Sequence, residues 1–107
     1  MDEKRRAQLE ARAKILKTMA HPSRLFIIEE LAKKECSVGE LTDMIGVDIS
    51  TVSKHLAVLK EQGIISAEKR GASVYYSLRC GCVLNFYDCV EDVIRENIAA
   101  QIELISE

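Results

Sequence analysis

The sequence predicts an α+β fold that is mainly helical, with about five helices and one two-stranded β-hairpin. Two observations lead to this prediction: apolar residues recur at helical spacing over most of the chain, and a single alternating stretch lies between Ser73 and Leu78. The chain has 107 residues, of which 48% are hydrophobic, so residues 1–107 are expected to form one domain. A domain of this size often shares its core with a partner subunit.

The first two helices follow from the spacing of apolar side chains. Along residues 8–20, one face carries Leu9, Ala13, Leu16 and Ala20. His21-Pro22 interrupts this pattern, and because proline is favoured at a first helical position, a second helix is expected from Pro22 to about Lys34. Its core face would consist of Leu25, Ile28, Leu31 and Ala32.

Residues 37–63 carry two short helices separated by a tight turn. Ser37-Val38-Gly39-Glu40 is a capping box, in which each outer side chain accepts a hydrogen bond from the other residue's backbone N–H. Gly46 can end this helix, and Asp48 can cap the next one. Two short helices joined by a Gly-containing turn form a helix-turn-helix, whose second helix fits the major groove of DNA.

The second helix of this motif would expose small or hydrogen-bonding side chains. Its apolar residues recur at helical spacing and would face the core: Val52, Leu56 and Leu59. The outer face then carries Ser50, Thr51, Ser53, Lys54 and His55. Because such side chains can contact base edges and phosphates, the sequence predicts a protein that binds double-stranded DNA.

The alternating stretch follows this helix within residues 64–79. Val74, Tyr76 and Leu78 alternate with more polar neighbours, and Gly71 can form the tip of a hairpin. A hairpin that follows a recognition helix is a wing. Lys69 and Arg70 at its turn are expected to reach phosphates or the minor groove.

Charge is distributed unevenly along the chain. The net charge is −2 and the pI is near 5.7, but basic residues dominate the first seventeen positions and acidic residues dominate the segment after Cys80. DNA would meet the middle, where Lys54, Lys60, Lys69 and Arg70 lie. No apolar run approaches the ~20 residues of a membrane span, and Met1-Asp2-Glu3 does not open a signal peptide, so we expect a cytoplasmic protein without a membrane partner.

Residues 82–106 are expected to form one long C-terminal helix that has no internal glycine or proline. Its apolar stripe is too long for the rest of the domain to cover: Phe86, Val90, Val93, Ile94, Ile98, Ile102 and Ile105. Such a terminal helix usually packs against its symmetry mate. The sequence therefore predicts a homodimer through the first and last helices, with an interface that includes Leu9, Phe86, Val90, Val93 and Ile98.

Three of the four cysteines lie close together as Cys80-Gly81-Cys82 and Cys89. In a cytoplasmic protein they are more plausible as ligands or redox thiols than as structural disulfides. Three thiolates without imidazole favour trivalent arsenic or antimony, or heavy ions such as cadmium and lead. Cys82 and Cys89 would lie ~10 Å apart on a straight helix, which is too far for both to bind one ion. A shared site therefore requires that the chain reverse direction at Gly81 before the helix begins, or that the partner's helix supply the third thiol.

Other interpretations of the cysteines remain open. Cys89 alone can equally be small core filler, and Cys36 is expected to be a lone surface thiol. The same Cys-x-Cys pair near a helix N-terminus could instead sense oxidants or form persulfides. A thiol enzyme is not expected, because no histidine, carboxylate-rich pocket or phosphate-binding glycine loop accompanies the Cys-x-Cys pair. The sequence also indicates neither an organic cofactor nor a small-molecule substrate.

Two helices are followed by a capped helix, by the recognition helix Ser50-Thr51-Val52-Ser53-Lys54-His55-Leu56, and by the wing Lys69-Arg70-Gly71 into Val74-Tyr75-Tyr76-Ser77-Leu78. This order of elements resembles the ArsR/SmtB family of small metal-responsive repressors. Ala20-His21-Pro22-Ser23-Arg24-Leu25 is similar to the start of that family's second helix. The resemblance covers roughly residues 10–80. It implies a winged helix-turn-helix homodimer that represses an operon until an inducer weakens its hold on DNA.

The family's sensing residues are only partly present. Arsenic sensors of the best-known type carry Cys-x-Cys just ahead of the helix-turn-helix, where this chain has Ser37 and Gly39. Zinc-type members carry Asp-x-His at the start of the last helix, where this chain has Cys80 and Cys82. What remains is a set of soft thiolate ligands, Cys80, Cys82 and Cys89, for which trivalent arsenic is the expected inducer.

Overall fold

The structure, a computed structural model, describes residues 1–106 of the chain, so residue 107 of the predicted domain lies outside it. Its elements are α1 (Glu3–Met19), α2 (Pro22–Lys33), β1 (Cys36–Ser37), α3 (Val38–Ile45), α4 (Ile49–Glu61), β2 (Ile65–Arg70), β3 (Ser73–Leu78), a 3₁₀ helix (Gly81–Leu84) and α5 (Asn85–Ile105). The predicted mainly helical α+β class is confirmed. Within residues 1–106, every helix falls short of the length or apolarity that a membrane span requires.

The first two helices begin at side-chain caps. The Asp2 carboxylate accepts the backbone N–H of Arg5 at 2.7 Å, which starts α1 five residues earlier than its apolar pattern predicts. His21 caps α2, because its Nδ1 accepts the N–H of Ser23 at 3.0 Å and Pro22 occupies the first turn. The predicted break between the two helices is therefore confirmed.

The helix-turn-helix forms as its caps predict. In the capping box, Ser37 Oγ accepts the N–H of Glu40 at 3.2 Å, and the Glu40 carboxylate accepts the N–H of Ser37 at 3.1 Å. Gly46 ends α3 with a φ of 80°, a left-handed conformation that favours glycine. Asp48 caps α4.

The sheet has three antiparallel strands in the order β1-β3-β2, whereas the sequence predicts two. The hairpin register pairs Arg70 with Ser73, so the turn contains Gly71, as predicted. The additional strand β1 pairs Cys36 with Tyr76. A strand of two residues is too short to show alternation, and only its long-range pairing with β3 defines it.

The prediction that Cys36 is a surface thiol is wrong. Its side chain is 0% exposed and belongs to the core, because pairing with β3 makes Cys36 part of the sheet, where its side chain packs in the core cluster. The other core members come from the four helices α1 to α4, the end of the connection after α4, and the start of β2: Met19, Ile27, Ile28, Leu31, Leu41, Val52, Leu56, Leu59, Ile64 and Ile65. Burial raises the pKa of the Cys36 thiol, so the reactive thiolate is disfavoured.

The last helix also starts later than the sequence predicts. Residues Gly81–Leu84 form a tight 3₁₀ turn, and α5 begins at Asn85 rather than at Cys82. This turn brings Val83 and Leu84 against the core, and the hydroxyl of Tyr87 donates to the carbonyl of Leu25 at 2.6 Å. None of the residues of α5 is fully buried. The molecule extends over 62 × 42 × 22 Å.

Candidate nucleic-acid interface and thiol site

The predicted DNA-contacting residues of α4 lie on its first two turns. Ser50, Ser53 and Lys54 are exposed, whereas Thr51 and His55 are half-buried. Val52, Leu56 and Leu59 on the opposite face are fully buried, which fixes α4 against the core. The exposed face is therefore presented by a helix that cannot rotate without exposing three apolar side chains.

Two of these residues also contribute to the cap of α4. The hydroxyl of Thr51 donates to the Asp48 carboxylate at 2.7 Å, and the hydroxyl of Ser50 donates to the same carboxylate. These hydrogen bonds, with Ser50 the largest contributor, lower the pKa of Asp48 to about 2. Each hydroxyl keeps its acceptor lone pairs, so in this arrangement both residues would accept hydrogen bonds from donor groups on DNA.

His55 is connected to residues outside the helix-turn-helix. Arg24 Nε donates to His55 Nδ1 at 3.1 Å, and Arg24 Nη1 donates to the carbonyl of Thr18 at 3.1 Å. The ring of His21 lies 4.4 Å from that of His55, centroid to centroid. Burial, together with the nearby His21 and Arg24, lowers the pKa of His55.

This arrangement determines the form of His55. Because Nδ1 accepts a hydrogen bond, the proton of the neutral imidazole resides on Nε2, and His55 would offer DNA a donor. The sequence indicated His21 and His55 separately but did not reveal that Arg24 joins them. Only the folded chain brings the end of α1, the start of α2 and the recognition helix together.

The two wing residues differ in their surroundings. Arg70 Nη1 lies 2.6 Å from a Glu35 carboxylate oxygen, and Arg70 Nη2 lies 2.9 Å from a Glu68 oxygen. The guanidinium also lies 5.2 Å from the centre of the Tyr75 ring. The hydrogen bond with Arg70 lowers the pKa of Glu35. Lys69 is exposed and has no ion-pair partner within residues 1–106.

The thiol segment lies between β3 and α5. Cys80 and Cys82 are joined by a disulfide, with 5.4 Å between their Cα atoms, while Cys89 is a free, exposed thiol on α5. Among the residues that the structure describes, no three histidine, cysteine or acidic side chains are grouped to hold a metal ion. The predicted three-thiolate set is therefore not assembled within one chain in this oxidised form, although a reduced Cys80–Cys82 pair would supply two adjacent soft donors.

This segment forms the joint between the wing and the last helix. On its wing side, the N–H of Arg79 donates to the carbonyl of Ile64 at 3.0 Å, next to the start of β2. On its other side, Val83, Leu84 and Tyr87 attach α5 to the core. A chemical change at Cys80 and Cys82 would therefore act where α5 meets the DNA-binding part of the fold.

An apolar surface runs along α5 and continues onto α1. Val93 is 55% exposed, and the rest of the predicted stripe is similarly uncovered. Between α1 and α5 lies a groove of about 300 Å³, whose lining includes Leu16, Met19, Leu25, Phe86, Tyr87 and Val90. A continuous apolar surface of this kind indicates an interaction site.

The sequence relatives agree with this architecture. Residues 21–67 match the family described as bacterial regulatory protein, arsR family. The nodulation protein NolR of Rhizobium meliloti is 33% identical over 91 residues, which cover 85% of this chain and 75% of NolR. The chain belongs to the ArsR family. It is thus a DNA-binding transcriptional regulator and not an enzyme, which confirms the resemblance and the functional class that the sequence indicates.

Two further relatives of this ArsR-family chain extend the comparison. The biofilm growth-associated repressor of Xylella fastidiosa strain Temecula1 is 41% identical over 66 residues, which cover 62% of this chain and 58% of that repressor. The chain thus matches less than two thirds of that relative's length. A protein from Mycobacterium bovis, described as a homodimeric winged helix-turn-helix DNA-binding domain, superimposes with a TM-score of 0.75 at 28% identity, covering 92% of this chain and 91% of that domain.

Proposed function

We propose that this chain is a cytoplasmic, homodimeric repressor that binds operator DNA through α4 and the wing. In this proposal the dimer releases the operator when its C-terminal thiols change state. Ser50, Thr51, Ser53, Lys54 and His55 contact base edges and phosphates in the major groove, while Lys69 and Arg70 contact phosphates beside it. The exposed outer face of α4, held by three buried residues on its inner face, supports this assignment.

The dimer is proposed to form through α1 and α5. The half-exposed stripe of Phe86, Val90, Val93 and Ile98 runs along one side of α5, and Leu9 on α1 is partly exposed. The radius of gyration is 17.3 Å, whereas a compact monomer of this length has about 13 Å. A second copy packed on this surface would cover the apolar stripe and place two recognition helices on adjacent half-sites.

Thiol oxidation is the trigger that the geometry favours. The observation that carries this part of the proposal is the disulfide between Cys80 and Cys82 at the joint between the wing and α5. Hydrogen peroxide could form it from the dithiol: the two thiols lose two electrons and two protons to the peroxide, which becomes two molecules of water. The oxidised joint then favours a dimer conformation whose two recognition helices no longer match the operator.

A thiophilic metalloid such as trivalent arsenic or antimony is the second candidate trigger, and cadmium or lead would bind through the same groups. The proximity of Cys80 and Cys82 favours it, because two reduced thiols 5.4 Å apart at Cα can bind one ion. Cys89 would supply a third thiolate after the joint rearranges, or the partner's Cys89 would do so. Cysteine ligands must be deprotonated, so binding should release protons.

Operator release under two separate treatments would distinguish these triggers. An operator fragment is first selected from random DNA and bound to the reduced dimer. One sample of this complex is titrated with hydrogen peroxide, and another is titrated with arsenite under reducing conditions. Fluorescence anisotropy of the DNA reports its release. Oxidation sensing predicts release by peroxide that Cys82→Ser abolishes. Metalloid sensing predicts release by arsenite that both Cys82→Ser and Cys89→Ser abolish.

The matched control is Cys36→Ala, which leaves all three C-terminal thiols intact and should respond as the parent does. If the Cys82→Ser, Cys89→Ser double variant still releases DNA in full under both treatments, the C-terminal thiols are not the sensor. A parent that binds no selected DNA at all would contradict the operator-binding part of the proposal.

A further inference from the structure

We propose that Glu35 is a positioning residue that holds the wing arginine Arg70 back from DNA and lowers operator affinity. The proposal rests on the proposed phosphate contact of Arg70. Glu35 lies in the connection between α2 and β1, outside the wing, and its carboxylate is 2.6 Å from Arg70 Nη1. It therefore connects the side chain of a wing residue to the connection between α2 and β1, in the body of the domain.

Arg70 already has two carboxylate partners on its own chain. Glu35 and Glu68 each pair with one terminal nitrogen, and the guanidinium carbon lies 5.2 Å from the centre of the Tyr75 ring. The two carboxylates beside Arg70 offset the positive charge that this residue would bring to DNA. A phosphate that approached Arg70 in this conformation would also meet the charge of Glu35.

The ion pair is weak enough to be exchanged. The side chains of Arg70 and Glu35 are 44% and 45% exposed, and exposed ion pairs contribute little to stability because water and salt screen them. DNA offers a row of phosphates and releases counterions when they are neutralised. Arg70 can therefore exchange Glu35 for a phosphate. Because the ion pair with Glu35 is lost in this exchange, the net free energy gained from the phosphate contact is smaller.

Glu35 differs from Glu68 in what it restrains. Glu68 lies on β2 with Arg70 and moves with the wing, whereas Glu35 joins Arg70 to the end of α2. Removing the Glu35 charge should free the arginine to follow the DNA backbone. Removing the Glu68 charge would leave the restraint from Glu35 in place.

A double-mutant cycle tests this inference in the reduced dimer of the 107-residue chain. Glu35→Gln should tighten operator binding roughly two- to fivefold, and the gain should shrink between roughly 50 and 200 mM salt as both charges are screened. In the Arg70→Ala background the same substitution should have no effect on affinity. Glu3→Gln, which removes the same charge from the first turn of α1, is the control and should leave affinity unchanged.

The possible outcomes separate this inference from the proposed function. If Arg70→Ala weakens binding but Glu35→Gln leaves the affinity unchanged or lowers it, Glu35 does not restrain the arginine. If Glu35→Gln tightens binding equally in the Arg70→Ala background, its charge acts directly on DNA and the positioning role is wrong. If Arg70→Ala itself has no effect, the proposed wing contact is wrong, and this inference is wrong with it.

Discussion

The helix-turn-helix buries its apolar side chains within one chain, whereas α5 leaves an apolar stripe about half exposed. Leu41, Leu56 and Leu59 are completely inaccessible, while Val93 and Ile98 are 55% and 50% exposed. The first region therefore has a complete core, and the second requires a partner surface to gain the same stabilisation. If α5 forms the proposed dimer interface, that interface can change its geometry without unfolding the DNA-binding unit.

The largest expected effect comes from the exposed stripe. Val93→Asp would place a charge in the proposed twofold interface and should produce monomers, observed by sedimentation velocity. Operator affinity should fall roughly 100-fold or more, because two linked half-sites are no longer read together. If this variant remained dimeric with unchanged affinity, the interface would lie elsewhere and α5 would need another explanation.

Two cysteines provide a matched pair for the same comparison. Cys36→Ser should lower the free energy of unfolding by about 1–3 kcal/mol, because it buries a hydroxyl in an apolar core. Cys89→Ser, on exposed α5, should change it by less than about 0.5 kcal/mol. Urea unfolding of both variants measures the difference, and equal stabilities would contradict the burial of Cys36.

Lys54 tests the DNA-binding region directly. Lys54→Ala should weaken binding to operator and unrelated DNA by similar factors, roughly tenfold at low salt, and reduce the salt slope by about 1. Substitutions at Ser50 or Ser53 should instead change which operator is preferred, because base-edge contacts carry specificity. Competition assays with operator and unrelated DNA distinguish the two patterns, and a sequence-dependent effect at Lys54 would assign it to the bases.

The smallest expected effect concerns pH. Since burial lowers the pKa of His55 in the folded state, His55 becomes protonated at a higher pH in the unfolded chain than in the folded chain. Stability should therefore be complete above about pH 6.5, the ordinary histidine value, and decline as pH falls towards the lowered folded pKa. The Asp48 carboxylate, whose pKa is lowered to about 2, keeps its full stabilising contribution across this range and loses it only as the pH falls below about 4.

His55→Asn is the informative variant for this effect, because its amide oxygen can accept from Arg24 at the place of Nδ1 but does not titrate. Its unfolding free energy should change less than the parent's between about pH 7 and pH 5.5. An identical decline in both proteins would assign the pH dependence to another group.

The sequence predicts the features that depend on neighbouring residues. The capping box at Ser37, the left-handed Gly46 and the Gly71 hairpin tip are each specified within about four positions, so they can be recognised without a structure. Features that join distant positions could not be predicted in this way. These are the pairing of Cys36 with Tyr76 and the hydrogen bond from Arg24 to His55.

The thiol segment could be predicted from the sequence only in part. Its spacing predicts that Cys80 and Cys82 are close together, and the structure joins them. The sequence does not reveal that the preceding strand and the following 3₁₀ turn place the pair between the wing and α5. Nor does it reveal that Glu35 reaches Arg70, because the loop after α2 carries no pattern that indicates a partner on β2.

The most direct test of the account is to measure operator affinity and dimer mass in one sample before and after reversible oxidation. We predict that peroxide leaves the dimer intact and weakens operator binding by roughly 5- to 150-fold, a coupling of about 1–3 kcal/mol. Dithiothreitol should restore the affinity, and Cys82→Ser should show no change. An oxidised parent that carries the Cys80–Cys82 disulfide and still binds its operator as tightly as the reduced dimer would contradict oxidation as the trigger.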